Sequence, residues 1–273
     1  DVAPMQQSMA EFLRRVSDYT LTPMSKMLRL ATRAPGLGDP PSMRQVYRLG
    51  AQTELRMTAA RQKVLAVLEE FAELSFTLKE LSEAAGVTAS VVKGLVKLGA
   101  VAEMATPQDM PFAHLNPGLP GKSLSEDQAH AVAQLQANTV GYRTTLLKGV
   151  TGSGKTEVYL EAVASCLKER RQALVLLPEI ALTAEFLTRV EARFGARPAE
   201  WHSGVTMTER RRTWKMVGQG HAQMVVGARS ALFLPFQDLG LIVVDEEHDS
   251  SYKQEDGVLY NARDMAVLRA SLV

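Results

Sequence analysis

Eight consecutive residues, Gly149-Val150-Thr151-Gly152-Ser153-Gly154-Lys155-Thr156, match the pattern G-x-x-x-x-G-K-[ST]. The chemistry this pattern serves is phosphate binding. Gly149, Gly152 and Gly154 let the backbone turn tightly and approach an anion, with Thr151 and Ser153 between them. Backbone N–H groups at a helix start, backed by the helix dipole, favour negative charge there. Lys155 is expected to reach the β and γ phosphates, and Thr156 to hold Mg²⁺. Further along, Asp245-Glu246-Glu247-His248 directly follows the apolar run Leu241-Ile242-Val243-Val244. Carboxylates that leave a sheet at the C-terminal end of a strand suit a cation and a water. Asp245 would hold Mg²⁺ and Glu246 would polarise the attacking water. A glycine loop followed by an acidic turn, with several α/β units between, points to hydrolysis of a nucleoside triphosphate.

These residues need a sheet to carry them. From Ser123 onward, apolar strands alternate with helices. Strands are expected at 144–147, 173–177, 199–202, 223–226 and 239–244. The runs Leu174-Val175-Leu176-Leu177 and Leu241-Ile242-Val243-Val244 lack polar alternation, as strands covered on both faces do. The expected fold is a three-layer α/β domain with a mostly parallel sheet. Ser125 should cap a helix whose first turn carries Glu126 and Asp127.

Upstream, residues 58–105 predict a small separate unit. Thr58, Thr77 and Thr88 are candidate caps of three helices, with Gly86 and Gly99 as stops. A short strand at 100–103 follows, and residues 44–48 are read as a short extended or poorly defined piece. Three helices and a strand in this order suggest a winged helix-turn-helix domain. Its third helix offers only Lys93 and Lys97 as cations, which favours a structural or backbone-contacting module over base reading. The expected division is 1–41, 42–106, a Pro/Gly-rich linker or strap at 107–122, and 123–273.

The 273 residues carry a net charge of +1, so bulk charge announces no nucleic-acid partner. A lone cysteine, Cys166, rules out an internal disulfide framework and a cysteine-cluster zinc site, and reads as a small core residue. No apolar run reaches membrane-spanning length, so no membrane partner is expected. A chain that opens on Asp1 and closes on the apolar stretch 266–273 is expected to be a piece of a longer protein.

Between the glycine loop and the acidic turn stand Pro178-Glu179-Ile180-Ala181-Leu182-Thr183, His202-Ser203-Gly204 and Gly227-Ala228-Arg229-Ser230-Ala231-Leu232-Phe233. After the turn comes Asp249-Ser250-Ser251-Tyr252-Lys253-Gln254. In this order the segments resemble the PriA family of bacterial replication-restart helicases, of superfamily 2, over residues 123–273. The resemblance implies a RecA-like helicase lobe, ATP and Mg²⁺ as cofactors, and 3′-to-5′ unwinding of DNA at forks and single strands. It implies primosome proteins and single-stranded DNA-binding protein as partners, and a bacterial cytoplasmic, nucleoid-associated location. Zinc is implied only in a cysteine-bearing region that these residues do not include. By the same resemblance Gln128 reads adenine. His202, Arg229 and Ser230 would grip DNA, and His248 would link the nucleotide site to it. Tyr252 and Tyr260 would stack on bases, with Lys253 and Arg263 beside them. Val258-Leu259 departs from the Trp-Arg pair seen in many members. Residues 1–33 resemble the end of the family's domain that binds DNA 3′ ends. A RecG-like fork-remodelling motor, or a DNA- and ATP-binding scaffold without efficient hydrolysis, are the alternatives.

Overall fold

The computed structural model describes residues 4–34, 36–38, 43–51, 56–137, 141–150, 152–178, 181 and 183–273. Two units emerge: residues 1–38 with 111–273, and residues 39–110.

Helices α1 (Gln7–Thr20) and α2 (Met24–Ala31) open the chain. Leu21, in the left-handed region, ends the first, and Pro23 precedes the second. Met9, Phe12, Leu13 and Val16 recur at helical spacing and are all buried. They belong to the same apolar cluster as Leu174 and Leu176. The Phe12 and Phe233 ring centroids lie 5.6 Å apart, and Trp214 Nε1 donates to the Ala31 carbonyl at 2.6 Å. The expectation of a separate piece over 1–41 therefore gives way. Both helices are part of the larger unit's core.

The smaller unit holds β1 (Met43–Leu49), α3 (Ala59–Glu70), α4 (Leu78–Ala85), α5 (Ala89–Lys97) and β2 (Val101–Pro107). The extended piece read at 44–48 is thus a full strand. It pairs antiparallel with β2 from Met43↔Pro107 to Leu49↔Val101. Thr58 and Thr77 cap as expected, Thr77 in a reciprocal box with Glu80. Thr88 makes no cap bond; its hydroxyl meets that of Ser90 at 2.8 Å instead. Val64, Leu68, Leu81, Val92 and Leu95 form the core of the unit.

The larger unit continues with α6 (Glu126–Gln136), α7 (Lys155–Lys168), β3 (Gln172–Leu176), α8 (Ala184–Phe194), β4 (Ala199–Trp201), α9 (Met207–Gly218), β5 (Met224–Gly227) and β6 (Leu239–Val244). A small ribbon, β7 (Lys253–Gln254) with β8 (Tyr260–Asn261), and α10 (Ala262–Ala270) complete it. The sheet runs β4-β5-β3-β6, and every pairing is parallel. Alternate residues of β3 face opposite layers. Leu174 and Leu176 join the cluster with α1, α9 and α10, while Ala173 and Val175 join the one with α7 and α8. This is the three-layer α/β lobe that the sequence predicts.

One expected strand is missing. Residues 144–147 carry no regular structure and are largely exposed, Leu146 at 62%. A short strand is held by its ladder, and residues 144–147 pair with no described strand, so the sheet ends at β6. The strap at 111–122 is packed rather than free. Leu115 is buried, its N–H donates to Gln223 Oε1 at 2.7 Å, and Arg193 Nη1 donates to the Leu119 carbonyl at 2.7 Å.

Gln172, 4% exposed, ties three segments to β3. Its Nε2 donates to the Val217 and Ala222 carbonyls at 3.1 and 2.8 Å. Its Oε1 accepts from the Gln237 and Asp238 N–H groups at 2.7 and 3.1 Å. That uses the full capacity of the amide. Gln172→Leu fills the volume and leaves the Ala222 carbonyl and the Gln237 and Asp238 N–H groups without those partners, while the Val217 carbonyl keeps the Gly220 N–H at 3.1 Å. The expected cost is about 3 kcal/mol, read in a melting scan as a fall of roughly 10 °C. An unchanged midpoint would remove Gln172 as the organising contact.

Candidate nucleotide site

The glycine loop ends where α7 begins. Gly152 and Gly154 sit at φ +80° and +79°, which side-chain-bearing residues rarely adopt, so the loop needs glycine at both. A Cβ on Gly149 would meet Ser153 Oγ at 2.6 Å. Thr151 lies outside the described residues, as do Glu179, Ile180 and Leu182. Lys155 is the first residue of α7. Its Nζ donates back into the loop, to the Gly149 carbonyl at 2.9 Å and the Val150 carbonyl at 3.3 Å. Thr156 follows it on the same first turn.

Gln128 reaches this loop. Its Nε2 donates to the Ser153 carbonyl at 2.8 Å, and its Oε1 accepts the Ser125 N–H at 2.9 Å. The amide expected to read adenine therefore closes the capping box of α6 and braces the loop. Both of its ends are engaged.

Asp245 stands at the C-terminal end of β6, where its N–H donates to the Leu176 carbonyl at 3.0 Å. Its Oδ1 accepts the Glu246 N–H at 2.9 Å, and its Oδ2 accepts the Tyr159 hydroxyl at 3.0 Å. Tyr159, on α7, was not singled out by sequence reasoning. The available signal was its spacing, four residues past Lys155 and so on the same helix face. Burial, then the adjacent Asp245, push the Tyr159 phenol well above its ordinary range, so it stays a donor. The bond joins the helix that ends the glycine loop to the strand that carries the acidic turn. Glu246 takes φ +47°, an uncommon conformation for a residue with a side chain. Its carboxylate is exposed, with His248 Nε2 at 3.7 Å from Oε2, and His248 itself is exposed. No cluster of three or more His, Cys, Asp or Glu that could hold a metal occurs among the described residues. A Thr hydroxyl and a single carboxylate nevertheless suit Mg²⁺, which takes one or two protein carboxylates beside phosphate and water oxygens. Thr156 and Asp245 fit this requirement: Thr156 lies on the first turn of α7, and Tyr159 of the same helix donates to the Asp245 carboxylate at 3.0 Å.

The two tyrosines after the turn are not where a stacking role needs them. Tyr252 is 1% exposed and Tyr260 5%. The Tyr252 hydroxyl donates to the Asp245 carbonyl at 2.6 Å, with the Leu176 carbonyl at 3.0 Å. Tyr260 packs edge-on against Phe233 at 5.3 Å, and burial pushes its phenol up to about 12. The expectation of base stacking is corrected: both rings are core, and no face is open to a base. Tyr252→Ala should accordingly cost about 3–5 kcal/mol, measured by denaturant unfolding. An exposed stacking residue would be close to neutral.

Arg229 also turns inward. Its Nη1 donates to the Ser251 and Lys253 carbonyls at 2.7 and 3.2 Å, holding the segment that carries Tyr252. Ser230 Oγ accepts from Trp201 Nε1 at 3.1 Å, and His202 Nε2 lies 3.1 Å from Glu200 Oε2. Lys253 and Arg263 stay exposed, with Glu255 at 3.1 Å and Glu247 at 3.0 Å as partners. Val258 is buried while Leu259 is 60% exposed. Cys166 is buried, which pushes its thiol up to about 12 and fits the core role expected of it.

The family model described as DEAD/DEAH box helicase matches residues 125–271, from the cap of α6 to the end of α10. This chain belongs to that family. Within the family its relatives include Replication restart protein PriA of Rickettsia conorii (strain ATCC VR-613 / Malish 7), 44% identical over 182 residues, covering 64% of this chain and 28% of the relative. The protein of that name from Chlamydia pneumoniae is 34% identical over 285 aligned residues, 98% of this chain and 38% of the relative. That from Bacillus subtilis (strain 168) is 36% identical over 224 residues, 79% and 27%. The resemblance to PriA read from the motif order is thereby shown. The chain spans between about a quarter and two fifths of the length of these curated relatives. No helix among the described residues is long and apolar enough to cross a membrane.

Proposed function

We propose that this chain is the ATP-binding lobe of a 3′-to-5′ DNA helicase that restarts replication at stalled or repaired forks. The observation that carries the reading is the 3.0 Å bond from Tyr159 to Asp245, which brings the phosphate loop and the acidic turn to one end of the sheet. A phosphate group, with its full negative charge, is a better acceptor for Lys155 than the loop carbonyls it now holds. Thr156 and Asp245 would hold Mg²⁺, which neutralises phosphate charge when bound. Glu246 would orient a water and accept its proton as the water oxygen bonds to the γ-phosphorus. The bridging P–O bond breaks and ADP leaves. The names of the relatives support replication restart as the setting and DNA as the substrate.

Residues 42–106 fit a winged helix, since α4, the Gly86 turn and α5 stand beside the antiparallel pair β1 and β2. Its role is structural or backbone-contacting. Arg229, Ser230, His202 and His248 border the loops proposed to face DNA. In the present state Arg229 serves the protein's own backbone. Single-stranded DNA-binding protein and other primosome proteins are the proposed partners, and the bacterial cytoplasm and nucleoid the proposed setting. The test is unwinding of a forked duplex with ATP and Mg²⁺, by a form of the protein spanning the relatives' length. ATP-dependent unwinding with 3′-to-5′ polarity is expected. ATP binding without any DNA stimulation of hydrolysis would leave only the scaffold reading.

A further inference from the structure

Asp245 is held from two sides by buried tyrosine hydroxyls. On one side Tyr252 grips its backbone carbonyl at 2.6 Å. On the other, Tyr159 grips its carboxylate, at Oδ2, at 3.0 Å. Tyr159 is 6% exposed, and Thr156 stands three residues before it on α7, about one turn away. With Oδ1 taken by the Glu246 N–H, the carboxylate is fixed at both oxygens.

We propose that Tyr159 is a positioning residue for the cation: it holds the Asp245 carboxylate beside Thr156 before the nucleotide arrives. The proposal rests on the nucleotide-site reading above and deepens it. A carboxylate free to rotate must be ordered at the moment of binding, and that ordering weakens affinity. A hydrogen-bond donor behind a metal ligand removes this cost and fixes the ligand's direction. Each carboxylate oxygen has more than one acceptor site, so the bond from Tyr159 leaves room for a cation on the same group. The opposite possibility is that the hydroxyl occupies the cation's place and must be displaced. The two make opposite predictions for Tyr159→Phe, which keeps the ring and removes the donor.

The experiment is calorimetric titration of ADP into the chain across a series of Mg²⁺ concentrations and in EDTA, with thermal melting alongside. For Tyr159→Phe, ADP binding in EDTA should match the unsubstituted chain, and the melting midpoint should fall by only a few degrees, the cost of one lost hydrogen bond. The Mg²⁺ concentration that gives half of the metal-dependent gain in affinity should rise about tenfold. Tyr252→Phe, which frees the backbone carbonyl and not the carboxylate, should shift it less. An unchanged or lower Mg²⁺ requirement in Tyr159→Phe overturns the proposal. So do equal shifts in both variants, since these would report loosening of the turn rather than aim of the carboxylate. If the unsubstituted chain shows no Mg²⁺-dependent gain at all, the nucleotide-site reading fails first and the proposal with it.

Discussion

Glu246→Gln should leave nucleotide binding in place and lower DNA-stimulated ATP hydrolysis by roughly 100-fold or more. The substitution keeps the size of the side chain and its capacity to hydrogen-bond. It removes the ability to accept a proton. Glu246 is held for this task by its backbone. At φ +47° it sits on the tight turn that follows β6, its N–H bound to Asp245 Oδ1 and its carbonyl accepting from the Asp249 N–H at 2.8 Å. Non-glycine residues in the left-handed region cost of order 1–3 kcal/mol and persist where surrounding structure enforces them. The neighbouring carboxylate, Glu247, is paired with Arg263 at 3.0 Å and is a poorer candidate for the same role. The measurement is steady-state ATPase against single-stranded DNA, in a form of the protein spanning the relatives' length, with ADP affinity as control. Near-normal turnover in the variant would move the proton acceptor away from Glu246.

The parts of this lobe that could be read from sequence are those whose burial is symmetrical. Strand β3 is buried throughout, and β6, though half-buried, packs apolar side chains into both layers, so their runs are continuously apolar. The glycine loop and the acidic turn are legible because phosphate and cation chemistry permit few residue types. Segment 144–147, Thr-Thr-Leu-Leu, has residue types that suit a strand, but strand formation depends on a partner to pair with, which local sequence does not contain. Tyr252 and Tyr260 mislead for a related reason. They lie among Asp, Ser, Lys and Asn, and a local window reads them as exposed. Their burial comes from Leu176 and Phe233, distant in sequence. The amphipathic face of α1 is plain in sequence, but its partners Phe233 and Arg269 are not. Gln128 carried two readings at once. Ser125 three residues before it is the signature of a capping box, and that is the role the amide performs.

Lys155→Ala should lower ADP affinity by roughly 10- to 100-fold, since a hydrogen bond to a charged group contributes about 1.5–3 kcal/mol and each 1.4 kcal/mol is a factor of ten. No other cation lies in the loop from Gly149 to Thr156. In the present structure its ammonium group holds the Gly149 and Val150 carbonyls, so the substitution removes two loop contacts as well as the charge. Lys155→Gln separates these effects. It can donate to the same carbonyls but brings no charge to a phosphate. If the charge matters, both variants lose affinity to a similar degree while melting with the unsubstituted chain. If the loop contacts matter, Gln restores what Ala loses. Lys155→Arg is a third probe, because a planar fork does not replace a compact ammonium group in a tight loop. Calorimetry showing unchanged ADP binding in Lys155→Ala would remove the phosphate role from this residue. The glycine loop would then be a turn whose shape alone fits the pattern.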